Sequence, residues 1–204
     1  MRRTKQEAAI TREQLLSKAL TVFSRKGYAT TTLQDIADEA EVTRGAIYWH
    51  FGGKAELYST LISEYAGRGN LIIQQAASEG GTLLDILRRV FVRQLQAIED
   101  DRELRLIMEL HFFKTGLDPE LEEGRQKQIS ASLELIQILA GIMAQAVEAG
   151  LLRSDLDPKT MASAYLAFQN GLIQLWLTAP GQFSLKASAE SYAEILIAGL
   201  RPPE

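Results

Sequence analysis

Helical periodicity runs through almost the whole chain, and this feature most restricts what the chain can fold into. Apolar residues recur at intervals of three and four, and no stretch shows the sustained alternation of a half-buried strand. Glycine and proline interrupt the pattern at the places where helices should end. Because 204 residues with 46% hydrophobic side chains can bury a substantial core, we predict an all-α globular protein.

Three short helices are predicted at the N-terminus. A threonine precedes each of them, and in the first two a Gln or Asp three residues later completes a capping box. Only a few residues separate the second helix from the third, so the chain must turn tightly between them. The predicted caps are Thr11 with Gln14, Thr32 with Asp35, and Thr43.

Longer helices are predicted after Lys54. Thr82 with Asp85 forms another capping box, and Asp118 followed by Pro119 is a further typical helix start. Glycine or a Pro-Gly pair follows several of these helices and marks their ends. The predicted segments are 54–78, 83–99, 103–115, 119–149, 157–178 and 185–200.

The chain divides into two expected domains, residues 1–54 and residues 55–204, and their charges differ. The first carries nine Lys/Arg and six Asp/Glu, a net charge of +3, which leaves 13 Lys/Arg and 20 Asp/Glu, a net charge of −7, for the second. A basic end on a protein with an overall charge of −4 is typical of a nucleic-acid-binding segment.

Composition excludes several classes of function. No cysteine is present, which rules out disulfides, thiolate metal sites and cysteine nucleophiles. The two histidines are far apart, and the sequence has neither a glycine-rich phosphate loop nor metal-ligand spacing. We therefore expect no enzyme activity, no cofactor and no bound metal. The N-terminus lacks the apolar segment of a signal peptide, and the apolar stretch 133–152 contains polar and acidic residues that disfavour a membrane span. We expect a cytoplasmic protein.

The stretch TRGAIYWHFGGK, Thr43 to Lys54, has two different faces when it is drawn as a helix. One half of the wheel has a core-like composition and holds Ala46, Ile47, His50 and Phe51. The other half holds Arg44, Gly45, Tyr48 and Trp49. A guanidinium, two aromatic rings and bare backbone suit a helix that enters the DNA major groove. The alternatives are a solvated face or a protein contact, and for His50 a buried or capping role.

Gly45 is costly in such a helix. Glycine in a helix interior is less stable than alanine by about 1 kcal/mol. This cost is understandable if a side chain at Gly45 would hold the backbone away from DNA. Thr43, as the N-cap, leaves free N–H groups and the positive end of the helix dipole nearby, which favours a phosphate oxygen.

The sequence resembles a known family of DNA-binding proteins. TTLQDIADEAEVTRGAIYWHFGGKAELY resembles the helix-turn-helix of the TetR family of bacterial transcriptional repressors. RRTKQEA, RLIMELHFFK and GLIQLWLTAP are similar to the branch that represses multidrug efflux pumps, the acriflavine-resistance type. The resemblance implies an N-terminal three-helix DNA-binding bundle and a larger C-terminal helical domain for ligand binding and dimerisation. Glu41 departs from the family, which commonly has glycine in this turn; a left-handed backbone there would cost about 1 to 2 kcal/mol.

The resemblance also assigns roles to individual residues. Those that match the family positions facing the operator are Arg44, Gly45 and Tyr48, with Trp49 as a further contact. Those that match positions near backbone phosphates are Thr32, Thr43, His50 and Lys54. The last two helices are expected to form the interface of a homodimer, with apolar contacts from Leu172, Leu175, Tyr192, Ile195 and Leu196. The alternative is that these side chains pack within one chain.

The middle helices are expected, by the same resemblance, to line an effector pocket. The candidate residues are Met108, His111, Phe112, Tyr165, Phe168, Asn170 and Trp176. The alternative is that the aromatic groups and the histidine belong to an ordinary core, since residues at helical spacing usually do.

The sequence therefore predicts a repressor that binds a palindromic operator as a dimer. A small hydrophobic or cationic aromatic effector would release it by moving the helix that begins at Lys54, and the regulated system would be a multidrug efflux pump. The alternative is a constitutive or architectural DNA-binding protein without an effector. A cavity of several hundred cubic ångströms lined by the candidate residues would favour the first, and a solid core the second.

Overall fold

The computed structural model describes residues 5–116 and 118–202, with side chains described from Arg12 onward. Among these residues the regular secondary structure is entirely helical, which confirms the predicted all-α class. The helices are α1 Lys5–Lys26, α2 Leu33–Glu39, α3 Arg44–Phe51, α4 Lys54–Ser78, α5 Leu83–Asp100, α6 Arg102–Phe113, α7 Glu122–Glu148, α8 Pro158–Thr178 and α9 Leu185–Leu200. A 3₁₀ turn, Pro119–Leu121, precedes α7.

The predicted start of the first helix at Thr11 is wrong. Helix α1 begins at Lys5, so Thr11 lies inside it. The residues before Thr11 are mostly strong helix formers without glycine or proline, so nothing in them stops the helix from extending toward the N-terminus. Arg2 and Arg3, from the RRTKQEA segment that carries part of the resemblance, lie outside the described residues.

The other predicted capping boxes are confirmed. Thr32 Oγ1 accepts a hydrogen bond from the backbone N–H of Asp35 at 3.1 Å, and the Asp35 carboxylate accepts from the backbone N–H of Thr32 at 2.9 Å. Thr82 and Asp85 make the same reciprocal pair at the start of α5. Because these contacts satisfy backbone donors that have no partner within the helix, they fix the residue at which each helix begins.

The turn between α2 and α3 contains the one backbone feature that the sequence had singled out. Glu41 has φ of 55° and is the one non-glycine residue with positive φ in the described chain. The backbone N–H of Glu41 donates to Asp38 O at 3.3 Å, and that of Val42 donates to Ala37 O at 3.0 Å. This pair of bonds is a Schellman motif, in which glycine is the usual residue at the left-handed position.

The first of two compact units contains the described residues up to Gly67 and the segment Arg102–Arg125. Helices α1, α2, α3 and α6 and the start of α4 bury one apolar core there. Tyr28 is fully buried in it, stacked on the Phe23 ring at 5.7 Å and meeting the Tyr58 ring edge-on at 5.5 Å. This core is the platform on which the short helix α3 rests.

The second unit contains Arg68–Asp101 and the described chain from Gln126 onward. In it α5 packs mainly against α9, and α8 packs against both. The Glu99 carboxylate accepts hydrogen bonds from Ser184 Oγ at 2.9 Å and from the backbone N–H of Lys186 at 2.8 Å. A carboxylate at the first turn of α9 also interacts favourably with the helix dipole, so it holds the start of α9 beside the end of α5.

Helix α7 with its preceding turn is long and apolar enough, by length and composition alone, to cross a membrane. One such helix in the described chain is weak evidence for a membrane protein, because core helices of soluble proteins pass the same test. Only 17% of its apolar window is buried. Its exposed large apolar side chains are Ile129, Leu133, Leu135 and Ile138.

Candidate nucleic-acid interface

Helix α3 has the two faces that the helical wheel predicts. Ile47 is fully buried and Phe51 is 8% exposed, whereas Tyr48 and Trp49 are 49% and 72% exposed. Thr43 caps the helix by accepting a hydrogen bond from the backbone N–H of Ala46 at 3.3 Å. Two buried side chains therefore anchor α3 on the core while large aromatic rings face solvent.

Arg44 and Gly45 are exposed at the start of this helix. A Cβ atom built on Gly45 would meet only Thr43 Oγ1, at 3.7 Å, which is an ordinary van der Waals distance. Gly45 also lacks the positive φ that would require glycine. The described fold therefore gives no internal reason for the absence of a side chain at this position.

The exposure of His50 is intermediate, so it matches neither a fully buried nor a fully exposed residue. Its side chain is half-buried, and its ring meets the Trp49 ring edge-on at 4.5 Å and the Phe51 ring at 6.2 Å. It therefore borders the exposed aromatic face without being part of the sealed core. Its approach to a phosphate stays a prediction.

Thr32 is exposed at the start of α2, beside an ion pair. Lys26 Nζ lies 2.7 Å from Asp35 Oδ1, and the same carboxylate accepts the capping hydrogen bonds from Thr32. The hydrogen bond from Lys26, followed by those from Thr32, lowers the pKa of Asp35 to about 2. Asp35 is thus ionised at neutral pH, and its charge is directed at Lys26 and at the N-terminus of α2.

Lys54 has an environment that the sequence did not indicate. Its ammonium lies 4.2 Å from the centre of the Tyr28 ring, 3.4 Å from Tyr28 O and 3.8 Å from Glu120 Oε2, and its side chain is 17% exposed. The Tyr28 hydroxyl donates to the same Glu120 oxygen at 3.1 Å. Burial, and then Glu120, raise the pKa of Tyr28, so the hydroxyl remains a donor. The predicted phosphate contact of Lys54 must therefore compete with these neighbours.

Three of the predicted effector residues belong to the first unit, on α6. Met108 is buried, and His111 and Phe112 are half-buried. The Tyr58 hydroxyl lies 3.4 Å from His111 Nδ1, and burial lowers the pKa of His111. Phe113, the last residue of α6, is 46% exposed.

The other four predicted effector residues lie on α8 in the second unit. Tyr165 is buried, and its hydroxyl donates to Leu87 O at 2.8 Å. Trp176 is also buried, Phe168 is half-buried and Asn170 is exposed.

An amide pair on α5 and α8 was not predicted. Gln169 is 6% exposed, and its amide donates to Gln94 Oε1 at 2.7 Å. No local signal marks this pair, since its partners lie on different helices.

A cleft of about 410 Å³ lies between α5 and α9 in this unit. Its walls are mainly charged, and none of the predicted effector residues lines it. The lining residues are Asp85, Arg88, Arg89, Val92, Arg93, Gln96 and Glu190. This cleft is therefore not the cavity expected of the predicted effector site, and that site stays a prediction.

The residues predicted for the dimer interface form an apolar face on α8 and α9. Leu175 and Ile195 are 57% and 64% exposed, whereas Leu172, Tyr192 and Leu196 are half-buried. We call Leu172, Leu175, Ile195 and Leu196 the α8–α9 apolar face. Large exposed apolar side chains at this density are typical of protein contacts.

The fold and the exposed face of α3 define a bacterial transcriptional regulator with a helix-turn-helix. Residues 15–61 match the family described as bacterial regulatory proteins, tetR family, and residues 82–202 match the C-terminal region of MAATS-type transcriptional repressors. The chain belongs to the TetR family of regulators.

Similar proteins cover nearly the whole chain. It is 36% identical over 198 residues to the HTH-type transcriptional regulator AcrR of Shigella flexneri, covering 96% of this chain and 92% of that protein. It is 35% identical over 195 residues to the HTH-type transcriptional regulator TtgR of Pseudomonas putida, covering 95% and 93%. The crystal structure of NalD, the secondary repressor of the MexAB-OprM multidrug efflux pump in Pseudomonas aeruginosa, matches with a TM-score of 0.86 and 26% identity over 97% of this chain and 98% of that one.

Proposed function

We propose that this TetR-family regulator acts in the cytoplasm as the repressor of a multidrug efflux system. It binds a palindromic operator as a homodimer and is released by a small hydrophobic or cationic aromatic effector. The observation that carries the DNA-binding part is the exposed face of α3, formed by Arg44, Gly45, Tyr48 and Trp49 over the buried Ile47. The efflux assignment is supported by likeness to NalD, an efflux-pump repressor by its description.

Base reading is assigned to the first turn and middle of α3. The Arg44 guanidinium can donate two hydrogen bonds to guanine, and Tyr48 and Trp49 can supply apolar contacts in the major groove. The N-terminal amides of the helix capped by Thr43 favour a phosphate oxygen. Thr32, His50 and Lys54 are proposed as further phosphate contacts, which set the register rather than read the sequence.

Dimerisation through the α8–α9 apolar face would place two α3 helices on one operator. Half-sites of such operators lie about 34 to 36 Å apart, or a multiple of that distance. One short helix binds DNA weakly, so the dimer supplies the affinity as well as the spacing.

The effector is proposed to bind among the aromatic residues of α8, within the second unit. The arginine-lined cleft between α5 and α9 does not suit a hydrophobic molecule, whereas Phe168, Tyr165 and Trp176 offer aromatic surface. To weaken operator binding 100-fold, the effector must favour the non-binding arrangement by about 2.7 kcal/mol. The constitutive alternative requires no such site and no such difference in free energy.

The test of DNA binding compares two basic residues with different proposed roles. The probe is a duplex selected by the wild-type protein from a random-sequence pool, with a scrambled duplex for non-specific binding. Arg44→Ala should lower specific affinity by about tenfold or more and leave non-specific affinity nearly unchanged. Lys54→Ala should weaken both and reduce the salt slope by about one.

A control and a second measurement make this comparison decisive. Arg201→Ala removes an exposed positive charge from the end of α9 and should leave both affinities unchanged. The melting temperature of each variant must be measured, since Lys54 also contacts the buried Tyr28 ring. Equal and small effects of Arg44→Ala and Lys54→Ala would overturn the assignment of α3 as the reading helix.

The test of effector response adds hydrophobic and cationic aromatic compounds to the wild-type complex with the selected duplex. Release by some of them, reduced in Phe168→Ala, supports the proposed site. Unchanged DNA affinity across such a library would favour the constitutive alternative.

A further inference from the structure

The ammonium of Lys54 is held by neighbours in the first unit. It lies over the Tyr28 ring and within 3.8 Å of Glu120 Oε2. The two partners differ in exposure: the Lys54 side chain is 17% exposed and that of Glu120 is 63% exposed. The contact is therefore open to solvent on the carboxylate side and closed on the lysine side.

The Glu120 carboxylate is held in place rather than free to move. The backbone N–H of Glu120 donates to the capping carboxylate of Asp118 at 3.0 Å, and the Tyr28 hydroxyl donates to its side chain at 3.1 Å. The next residue, Leu121, is buried in the core of the same unit. The Asp118 bond and the burial of Leu121 fix the backbone at Glu120, and the hydrogen bond from Tyr28 holds its carboxylate beside Lys54.

Lys54 also lies close in sequence to the exposed face of α3. It begins α4, and Gly52 and Gly53 separate it from the end of α3 at Phe51. A phosphate that approaches the end of α3 meets the N-terminal amides of α4 and, if Lys54 is available, its ammonium. The fixed Glu120 charge opposes that approach and attracts the same ammonium.

We infer that Glu120 sets the DNA affinity of the protein by competing with backbone phosphates for Lys54. This inference rests on the proposed binding to operator DNA. The competition is modest, because a partly exposed ion pair contributes little free energy. Removal of the Glu120 charge should tighten DNA binding about threefold to fivefold, which is equivalent to at most about 1 kcal/mol.

Glu120→Gln tests the inference, because the amide oxygen still accepts the hydrogen bond from Tyr28 while the charge is lost. Fluorescence anisotropy with the duplex selected by wild type measures affinity over a range of salt concentrations. The variant should bind about threefold to fivefold tighter, and its salt slope should change by less than the ~0.9 of a whole phosphate contact, because Lys54 of the wild type already makes that contact on DNA. In a Lys54→Met background the gain should be clearly smaller, because only the direct repulsion between Glu120 and the phosphate is then removed.

Glu56→Gln is the matched control, since it removes one negative charge from the first turn of α4. Its effect should be clearly smaller than that of Glu120→Gln. If Glu120→Gln lowers the melting temperature, Glu120→Ala provides a second neutral variant with the same expected gain. An unchanged or weaker affinity, an equal gain from Glu56→Gln, or a gain of undiminished size in the Lys54→Met background would each overturn the inference. If wild type binds no duplex, the proposed function fails first and this inference fails with it.

Discussion

Adding one methyl group at Gly45 should raise the stability of the protein and lower its affinity for specific DNA. The described fold leaves room for a Cβ, whose nearest neighbour would be Thr43 Oγ1 at 3.7 Å. Gly45→Ala should therefore stabilise the protein by about 0.5 to 1 kcal/mol, because alanine loses less backbone entropy in a helix. The lower end is expected, since Gly45 lies in the first turn of α3. For a chain of this size the gain should raise the melting temperature by about 1 to 4 °C.

The same methyl group should weaken specific DNA binding. If the backbone at Gly45 lies against DNA, a Cβ moves α3 outward and disturbs the contact of Arg44 with its base. Loss of one such contact costs about 1 to 3 kcal/mol, or roughly tenfold to 100-fold in affinity. Binding to a scrambled duplex should change much less, because phosphate contacts tolerate small shifts.

Thermal denaturation and anisotropy with the selected duplex measure the two effects on the same preparations. Gly141→Ala is the control: Gly141 is exposed inside α7, with open space around the position of an added Cβ. It should raise the melting temperature without changing DNA affinity. If Gly45→Ala binds as tightly as wild type, the glycine is not needed for close approach to DNA. If it lowers the melting temperature, the space described around Gly45 is wrong.

Three further predictions concern a turn, an ion pair and the dimer. Glu41→Gly should raise the free energy of unfolding by about 1 kcal/mol by relieving the left-handed strain, whereas Glu41→Ala should keep most of that strain; urea denaturation measures both. The pKa of Asp35 is lowered to about 2 from an ordinary value of 3.8, so its stabilising effect is present above pH 3.8 and is lost as the pH falls toward 2. Asp35→Asn should therefore be less stable than wild type at neutral pH and lose less stability on acidification, as denaturation at several pH values will reveal. Ile195→Asp should place a charge in the α8–α9 apolar face and yield monomers in sedimentation velocity; retention of the dimer would exclude this face as the interface.

Local sequence was enough to predict most helix boundaries and both faces of α3. Capping boxes and helical spacing involve residues within four positions of one another, so Thr32 with Asp35 and Ile47 opposite Tyr48 were readable directly. The left-handed backbone of Glu41 was also foreseeable, because a tight turn after a helix normally needs that conformation. The start of α1 was misplaced because a plausible cap, Thr11, lies within a run of strong helix formers.

The contacts that the sequence could not predict join distant parts of the chain. Tyr28 and Glu120 are 92 positions apart, and Gln94 and Gln169 are 75 apart. Such pairs depend on how helices pack, which periodicity does not determine. The environment of Lys54 therefore emerged only from the structure, although its place at the start of α4 was correctly predicted.

The contact between Tyr58 and His111 should not change with pH inside the cell. It joins α4 to α6 within the first unit, and burial holds the pKa of His111 below its ordinary 6.5. The imidazole is therefore neutral throughout the pH range of a growing cell, about 7 to 8, and it changes neither charge nor hydrogen-bonding capacity there. Slight acidification of the cell therefore leaves this contact between α4 and α6 unchanged.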